Sequence, residues 1–170
     1  MLETIRVKDF MNKDVIAVKT DTPVIDVVKI LFAHGFNGVP VIDERGTLKG
    51  LITDYDFISK GSPIYFSPLG RVLEELDVYR VDQKEIDERI KGVLSSKAKD
   101  IMNDDPLTLS SDQTITEAAE LFIKHHRVNP VPVIDKDKKL VGVVSRYDLI
   151  RLYADPAFWS EFLKARTKPE

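Results

Sequence analysis

The chain has 170 residues, a formal net charge of −3, 43% hydrophobic and 31% charged residues, and no cysteine. That length can bury a core without disulfides, and the lack of cysteine excludes a thiolate nucleophile or a thiolate metal site. The mild negative charge favours neither nucleic acid nor an anionic membrane, and no apolar run reaches the roughly 18 residues of a membrane-spanning helix. Charges in the opening residues leave no apolar core for a secretion signal, so a soluble cytoplasmic protein is expected.

The first predicted strand covers residues 15–18. A long helix follows with Pro23 in its first turn, where a missing N–H costs nothing. Val24, Val27, Val28 and Leu31 fall at i, i+3, i+4 and i+7, one apolar face, and Gly35 supplies a C-terminal cap. Residues 39–42 and 48–52 flank the turn Asp43-Glu44-Arg45-Gly46 and read as a hairpin. A short helix near 54–60 closes the segment.

An insert spans residues 61–97. Leu69, Val72, Leu73 and Leu76 form one helical stripe behind Ser67-Pro68. Ile86, Ile90, Val93 and Leu94 form a second behind Asp82 and Glu85. Two roles fit these helices: covering the core, or presenting a surface to a partner or a second copy.

The chain then repeats itself. Residues 8–58 return as 99–150, offset by 91 to the end of the long helix and by 92 beyond it. Lys8-Asp9-Phe10-Met11-Asn12 returns as Lys99-Asp100-Ile101-Met102-Asn103. Val39-Pro40-Val41-Ile42-Asp43 returns unchanged at 131–135, and Leu48, Gly50, Tyr55, Asp56 and Ile58 return as Leu140, Gly142, Tyr147, Asp148 and Ile150. The second copy has its strand at 107–109 and a capping box at Thr114 and Glu117. Ile115, Ala118, Ala119 and Phe122 give its helical face, residues 131–134 and 140–144 its hairpin, and 146–153 its last helix. Asp155-Pro156, Phe158, Trp159 and Phe162 mark a C-terminal amphipathic helix. The expected organisation is repeat 1–60, helical insert 61–97, repeat 98–154 and terminal helix 155–170, in the α+β class.

The βαββα repeat and the paired Val-Pro-Val-Ile-Asp strands resemble the CBS (cystathionine-beta-synthase) domain. So do Gly50-Leu51-Ile52-Thr53-Asp54-Tyr55-Asp56 and Gly142-Val143-Val144-Ser145-Arg146-Tyr147-Asp148. The resemblance implies two repeats packed about a pseudo-two-fold axis, clefts that bind AMP, ADP, ATP or S-adenosylmethionine, and further association into dimers. It assigns the ribose to Thr53 and Asp56 in one copy, and to Ser145 and Asp148 in the other. Physically, a strand-end hydroxyl and a carboxylate three residues later meet at a helix N-terminus, and a charged acceptor strengthens hydrogen bonds from ribose hydroxyls. The same pattern also caps a helix without any ligand.

By the same resemblance, adenine is contacted largely through backbone at Ile16, Ala17, Gly38 and Val39, and at Leu107, Thr108, Pro130 and Val131. Tyr55 and Tyr147 stand where many family members carry a cation. Phosphate is therefore assigned to Arg146, whose counterpart is Asp54, and to His126 and Arg127 just past the second long helix. Favourable charge at a helix C-terminus is the competing role for His126 and Arg127.

Other chemistries find no pattern. His34, His125 and His126 lack the i, i+4 spacing of a zinc site, and neither a nucleophile elbow nor a phosphate-binding Gly-rich loop is present. Lys136, Lys138 and Lys139 read as a solvated turn, not a nucleic-acid face. The expectation is a non-enzymatic regulatory module without catalytic residue, metal or resident cofactor. An adenine nucleotide is its regulatory ligand, and it works as a homodimer through an effector protein. The alternative is a ligand-free dimerisation scaffold.

Overall fold

Each repeat is built in the order helix, strand, helix, strand, strand, helix. A computed structural model describes residues 5–59, 95–126 and 128–154. The two helical stripes expected between 67 and 94, the helix expected at 155–170 and Arg127 lie outside the described residues. The first repeat comprises α1 (Val7–Phe10), β1 (Val18–Lys19), α2 (Val24–His34), β2 (Gly38–Ile42), β3 (Leu48–Thr53) and α3 (Asp54–Ser59). The second comprises α4 (Ala98–Ile101), β4 (Leu109–Ser110), α5 (Ile115–Lys124), β5 (Val131–Ile134), β6 (Leu140–Val144) and α6 (Arg146–Ala154).

In each sheet a parallel pair, β1 with β2 or β4 with β5, is followed by the antiparallel hairpin, giving two three-stranded sheets and a mixed α+β fold. On α2 the predicted face is buried at Val24, Val27 and Leu31, and on α5 at Ile115, Ala118 and Phe122. Gly35 ends α2 at φ 64°, ψ 32°, a left-handed cap that suits glycine. Thr114 and Glu117 close their capping box, with Thr114 N donating to Glu117 Oε2 at 2.6 Å. Those two bonds from Thr114 hold the Glu117 carboxyl below the usual carboxylate range, backbone first and hydroxyl second.

The motif aspartate at the end of each β2-type strand organises the hairpin turn. Asp43 Oδ1 accepts from Arg45 N and Thr47 N at 2.9 Å, and Asp135 Oδ1 accepts from Asp137 N and Lys139 N at 2.9 Å. The Thr47 N–H is the largest cause holding the Asp43 carboxyl low. The turns differ at one position. Gly46 sits at φ 81° and its counterpart Lys138 at φ 60°, a left-handed conformation that costs a side-chain-bearing residue energy.

Two features depart from the sequence reading. The first strands begin later than the expected 15–18 and 107–109, because only Val18–Lys19 and Leu109–Ser110 run beside their partners. The residues before them are crossing between repeats. The reason is the second feature, an exchange of the two short helices. Val7 and Phe10 of α1 are buried in one core with Leu109, Ile115, Phe122 and Val131 of the second repeat. Ala98 of α4 is buried with Val18, Val27, Val39 and Ile52 of the first.

The exchange is pinned by backbone bonds that obey a pseudo-two-fold. Val7 N donates to Gln113 O at 2.8 Å, and Ala98 N to Thr22 O at 2.8 Å. Asn12 bridges Val143 while Asn103 bridges Leu51. On the axis itself, Leu48 N donates to Lys138 O at 2.9 Å and Leu140 N to Gly46 O at 3.0 Å, joining the hairpin tips. Gly50 and Gly142 let the crossing segments approach. A Cβ at Gly50 would lie 2.6 Å from Asn103 O and 2.7 Å from Met102 Sδ; at Gly142 it would lie 2.6 Å from Met11 Sδ. The first residue of each Gly-x-x-Thr/Ser-x-x-Asp motif is thus explained by packing.

Candidate functional site

Each hydroxyl–carboxylate motif stands where a strand ends and a helix begins. Thr53 N and Thr53 Oγ1 both donate to Asp56 Oδ2, at 2.9 and 2.8 Å. Ser145 N and Ser145 Oγ donate to Asp148 Oδ2 at 2.8 and 2.6 Å, and Asp148 N returns a bond to Ser145 Oγ at 3.3 Å. The motif therefore forms a cap in both copies. The two carboxylates differ in setting: Asp56 is buried, whereas Asp148 is half-buried. Asp148 Oδ1 accepts no bond among the described residues, which leaves an oxygen for a hydroxyl donor.

Asp148 opens onto a groove of about 390 Å³, within the size range of small-ligand clefts. One wall is Asp148 and Arg151 on α6. The other is Lys8 and Asp9 on α1 with residues 11–14, the segment leaving it. The groove is composite: its carboxylate belongs to the second repeat and its facing segment to the first. Lys8 is paired with Asp112 at 3.0 Å. Lys13 and Arg151 are exposed and make no ion pair among the described residues.

The other assigned residues fall in several places. Val39 and Val131 are fully buried, so only their backbone can face a ligand, while Ile16 is exposed and Ala17, Leu107 and Thr108 are half-buried. Gly38 and Pro130, counterparts in the two copies, meet each other; a Cβ at Gly38 would lie 3.0 Å from Pro130 Cδ. Beside them Asn129 Nδ2 donates to Asn37 Oδ1 at 3.5 Å, so these positions straddle the axis.

Arg146 is occupied elsewhere. Its guanidinium donates to the His126 carbonyl and lies over the Phe122 ring, 5.6 Å from the centroid. That placement caps the C-terminal end of α5. Neither Arg146 nor the exposed His126 lines the Asp148 groove. The groove's cations, Lys13 and Arg151, were not among the residues assigned from sequence. Arg151 lies one turn beyond Asp148, a visible spacing. Lys13 reaches the groove only through the helix exchange.

The geometry of two exchanged βαββα repeats agrees with the comparisons to known proteins. The CBS domain model matches residues 7–62 and 98–155. The chain belongs to the CBS domain family. Uncharacterized protein MJ1426 of Methanocaldococcus jannaschii is 31% identical over 155 residues, covering 87% of this chain and 90% of that protein. The crystal structure of CBSX2 in complex with AMP is 27% identical with a TM-score of 0.65, over 88% of this chain and 96% of that one. CBSX2 is a CBS-pair protein from Arabidopsis thaliana. The CBS domain pair of protein MJ0100, in complex with 5′-methylthioadenosine and S-adenosyl-L-methionine, is 25% identical with a TM-score of 0.59, over 87% and 98% of the two chains. Among the described residues no helix is long and apolar enough to cross a membrane.

Proposed function

We propose that this CBS pair binds an adenine nucleotide or adenosyl ligand and acts as a non-enzymatic regulatory module. The observation that carries the reading is Asp148, a motif carboxylate with one oxygen turned to a composite groove that also holds Lys13 and Arg151. The AMP complex of CBSX2 supports the ligand class. The ribose diol would donate to Asp148 and Asp56. Adenine would face the backbone at Ile16, Ala17, Gly38 and Val39, or at Leu107, Thr108, Pro130 and Val131.

Regulation requires a ligand to favour one conformation or assembly over another. A groove with one wall from each repeat couples their relative placement to occupancy. Output would pass through an effector protein or through the pair's own dimer. Phe32 on α2 and its counterpart Ile123 on α5 are 75% and 78% exposed, apolar surface that supports the dimer reading.

A thermal-shift panel of AMP, ADP, ATP, GTP, NAD and S-adenosylmethionine tests the reading. A ligand at about 100 times its Kd should add about 2.7 kcal/mol, or about 5–10 °C for a chain of this size. The rise should be confined to adenine-containing ligands and lost in Asp148→Ala. The scaffold reading is favoured by one observation, the completeness of both caps without a ligand. Under it, Asp148→Ala would lower stability by about 0.5–2 kcal/mol and the panel would be flat.

A further inference from the structure

We infer that the two pseudo-symmetric grooves select ligands of different charge: the one at Asp148 takes a phosphorylated adenosyl ligand, and its counterpart at Asp56 excludes phosphate. The inference rests on the proposed function and adds which groove holds the phosphate and which residues decide it.

The backbones of the two crossing segments are built alike. Asn12 Oδ1 accepts from Asp14 N at 3.0 Å, and Asn103 Oδ1 accepts from Asp105 N at 3.2 Å. Asp9 Oδ2 accepts from Arg6 N, and Asp100 Oδ2 from Lys97 N, both at 2.8 Å. The crossing segments pair with β6 and β3 at equivalent positions. Shape therefore does not distinguish the grooves.

Charge does. Around Asp148 stand three cations, Lys8, Lys13 and Arg151, against three carboxylates, Asp9, Asp14 and Asp148. The repeat offset converts Lys13 to Asp104 and Arg151 to Ser59, and keeps Lys8 as Lys99. The counterpart set is then one cation against four carboxylates: Asp56, Asp100, Asp104 and Asp105. Asp104 and Asp105 are both exposed, so their charge meets whatever enters that side.

A phosphate needs cations or N–H donors within hydrogen-bond reach, and a carboxylate in the same place repels it. Lys13 and Arg151 are the cations available, because Lys8 is committed to Asp112. Arg151 can present two donors to one phosphate in its fixed fork, while Lys13 adds a point charge from the opposite wall. At the Asp56 side, a neutral or cationic adenosyl group meets the favourable field instead.

Isothermal titration of the full chain with AMP and with adenosine tests this directly. The wild type should bind one AMP per chain. In Lys13→Asp/Arg151→Ser, which gives the Asp148 groove its counterpart's charges, the ratio of AMP to adenosine affinity should fall about tenfold or more. In the reciprocal variant Asp104→Lys/Ser59→Arg, AMP stoichiometry should rise towards two. Two equivalent AMP sites in the wild type, or an unchanged ratio in the first variant, would overturn the inference while leaving the adenosyl-binding reading intact. Binding of neither AMP nor adenosine would overturn that reading and the inference with it.

Discussion

The two repeats share a backbone plan and differ in what they attach to it. The exchange of α1 and α4, the paired hairpin tips and the asparagine turns at Asn12 and Asn103 are common to both halves. The differences collect where symmetry no longer serves packing. Lys13 faces Asp104 in the alignment, Arg151 faces Ser59, and Gly46 faces Lys138. A duplicated scaffold keeps the contacts that close its core and frees its surface to make two unlike grooves.

That comparison breaks or sharpens most strongly at α1. Phe10 is 2% exposed and sits in the second repeat's core, so Phe10→Ala should cost about 3–5 kcal/mol in chemical denaturation. Its counterpart Ile101 only packs against the other core from a half-buried position, so Ile101→Ala should cost less. Hydrogen exchange sharpens the test: Phe10→Ala should release protection at Leu109, Val131 and Val144 before Val18, Val39 and Ile52. The reverse order would mean that α1 stabilises its own repeat.

The crossing glycines come next. Gly50→Ala drives a methyl group against the Asn103 carbonyl, a backbone atom, and should cost about 1–3 kcal/mol. Gly142→Ala meets mainly the Met11 thioether, with Asn12 O at 3.1 Å, and methionine can move aside. Its loss should be smaller, and equal melting-temperature losses in the two variants would contradict that account.

The smallest stability effect lies at the hairpin tips. Lys138→Gly relieves a left-handed residue and should stabilise by about 0.5–1 kcal/mol, while Gly46→Ala should lose a similar amount. Acid adds a test without variants of the backbone. Asp43, Glu117 and Asp112 have carboxyl groups held low in the folded chain, by Thr47 N, Thr114 N and Lys8 respectively. A carboxyl lowered on folding adds stability above its unfolded value, and that stability is lost as pH falls through the folded value. Unfolding should therefore become easier below the ordinary carboxylate range, near 3.8 for Asp and 4.5 for Glu. Asp43→Asn and Glu117→Gln should each flatten that acid limb in urea titrations.

Much of this fold is legible in the sequence. The duplicated strings give the repeat, the apolar spacing of α2 and α5 gives the buried faces, and Thr114, Gly35 and Asp43 announce caps and turns through local chemistry. The exchange of α1 and α4 is not legible, because four-residue helices carry no periodicity and their partners lie about a hundred residues away. The site inherits that gap. Asp148 is found by motif, and Arg151 follows it by one helical turn. Lys13 joins them only once the chain crosses between repeats. Arg146 was assigned to phosphate on proximity in sequence, yet its long side chain reaches back to the His126 carbonyl and the Phe122 ring.

The central claim is that Asp148, Lys13 and Arg151 form the phosphate-holding ligand groove. A crystal structure of the chain grown with AMP tests it most directly. The account predicts AMP in the Asp148 groove, its ribose hydroxyls on Asp148 Oδ1 and its phosphate between Lys13 and Arg151. AMP found instead beside Asp56, with its phosphate against Asp104 and Asp105, would contradict it.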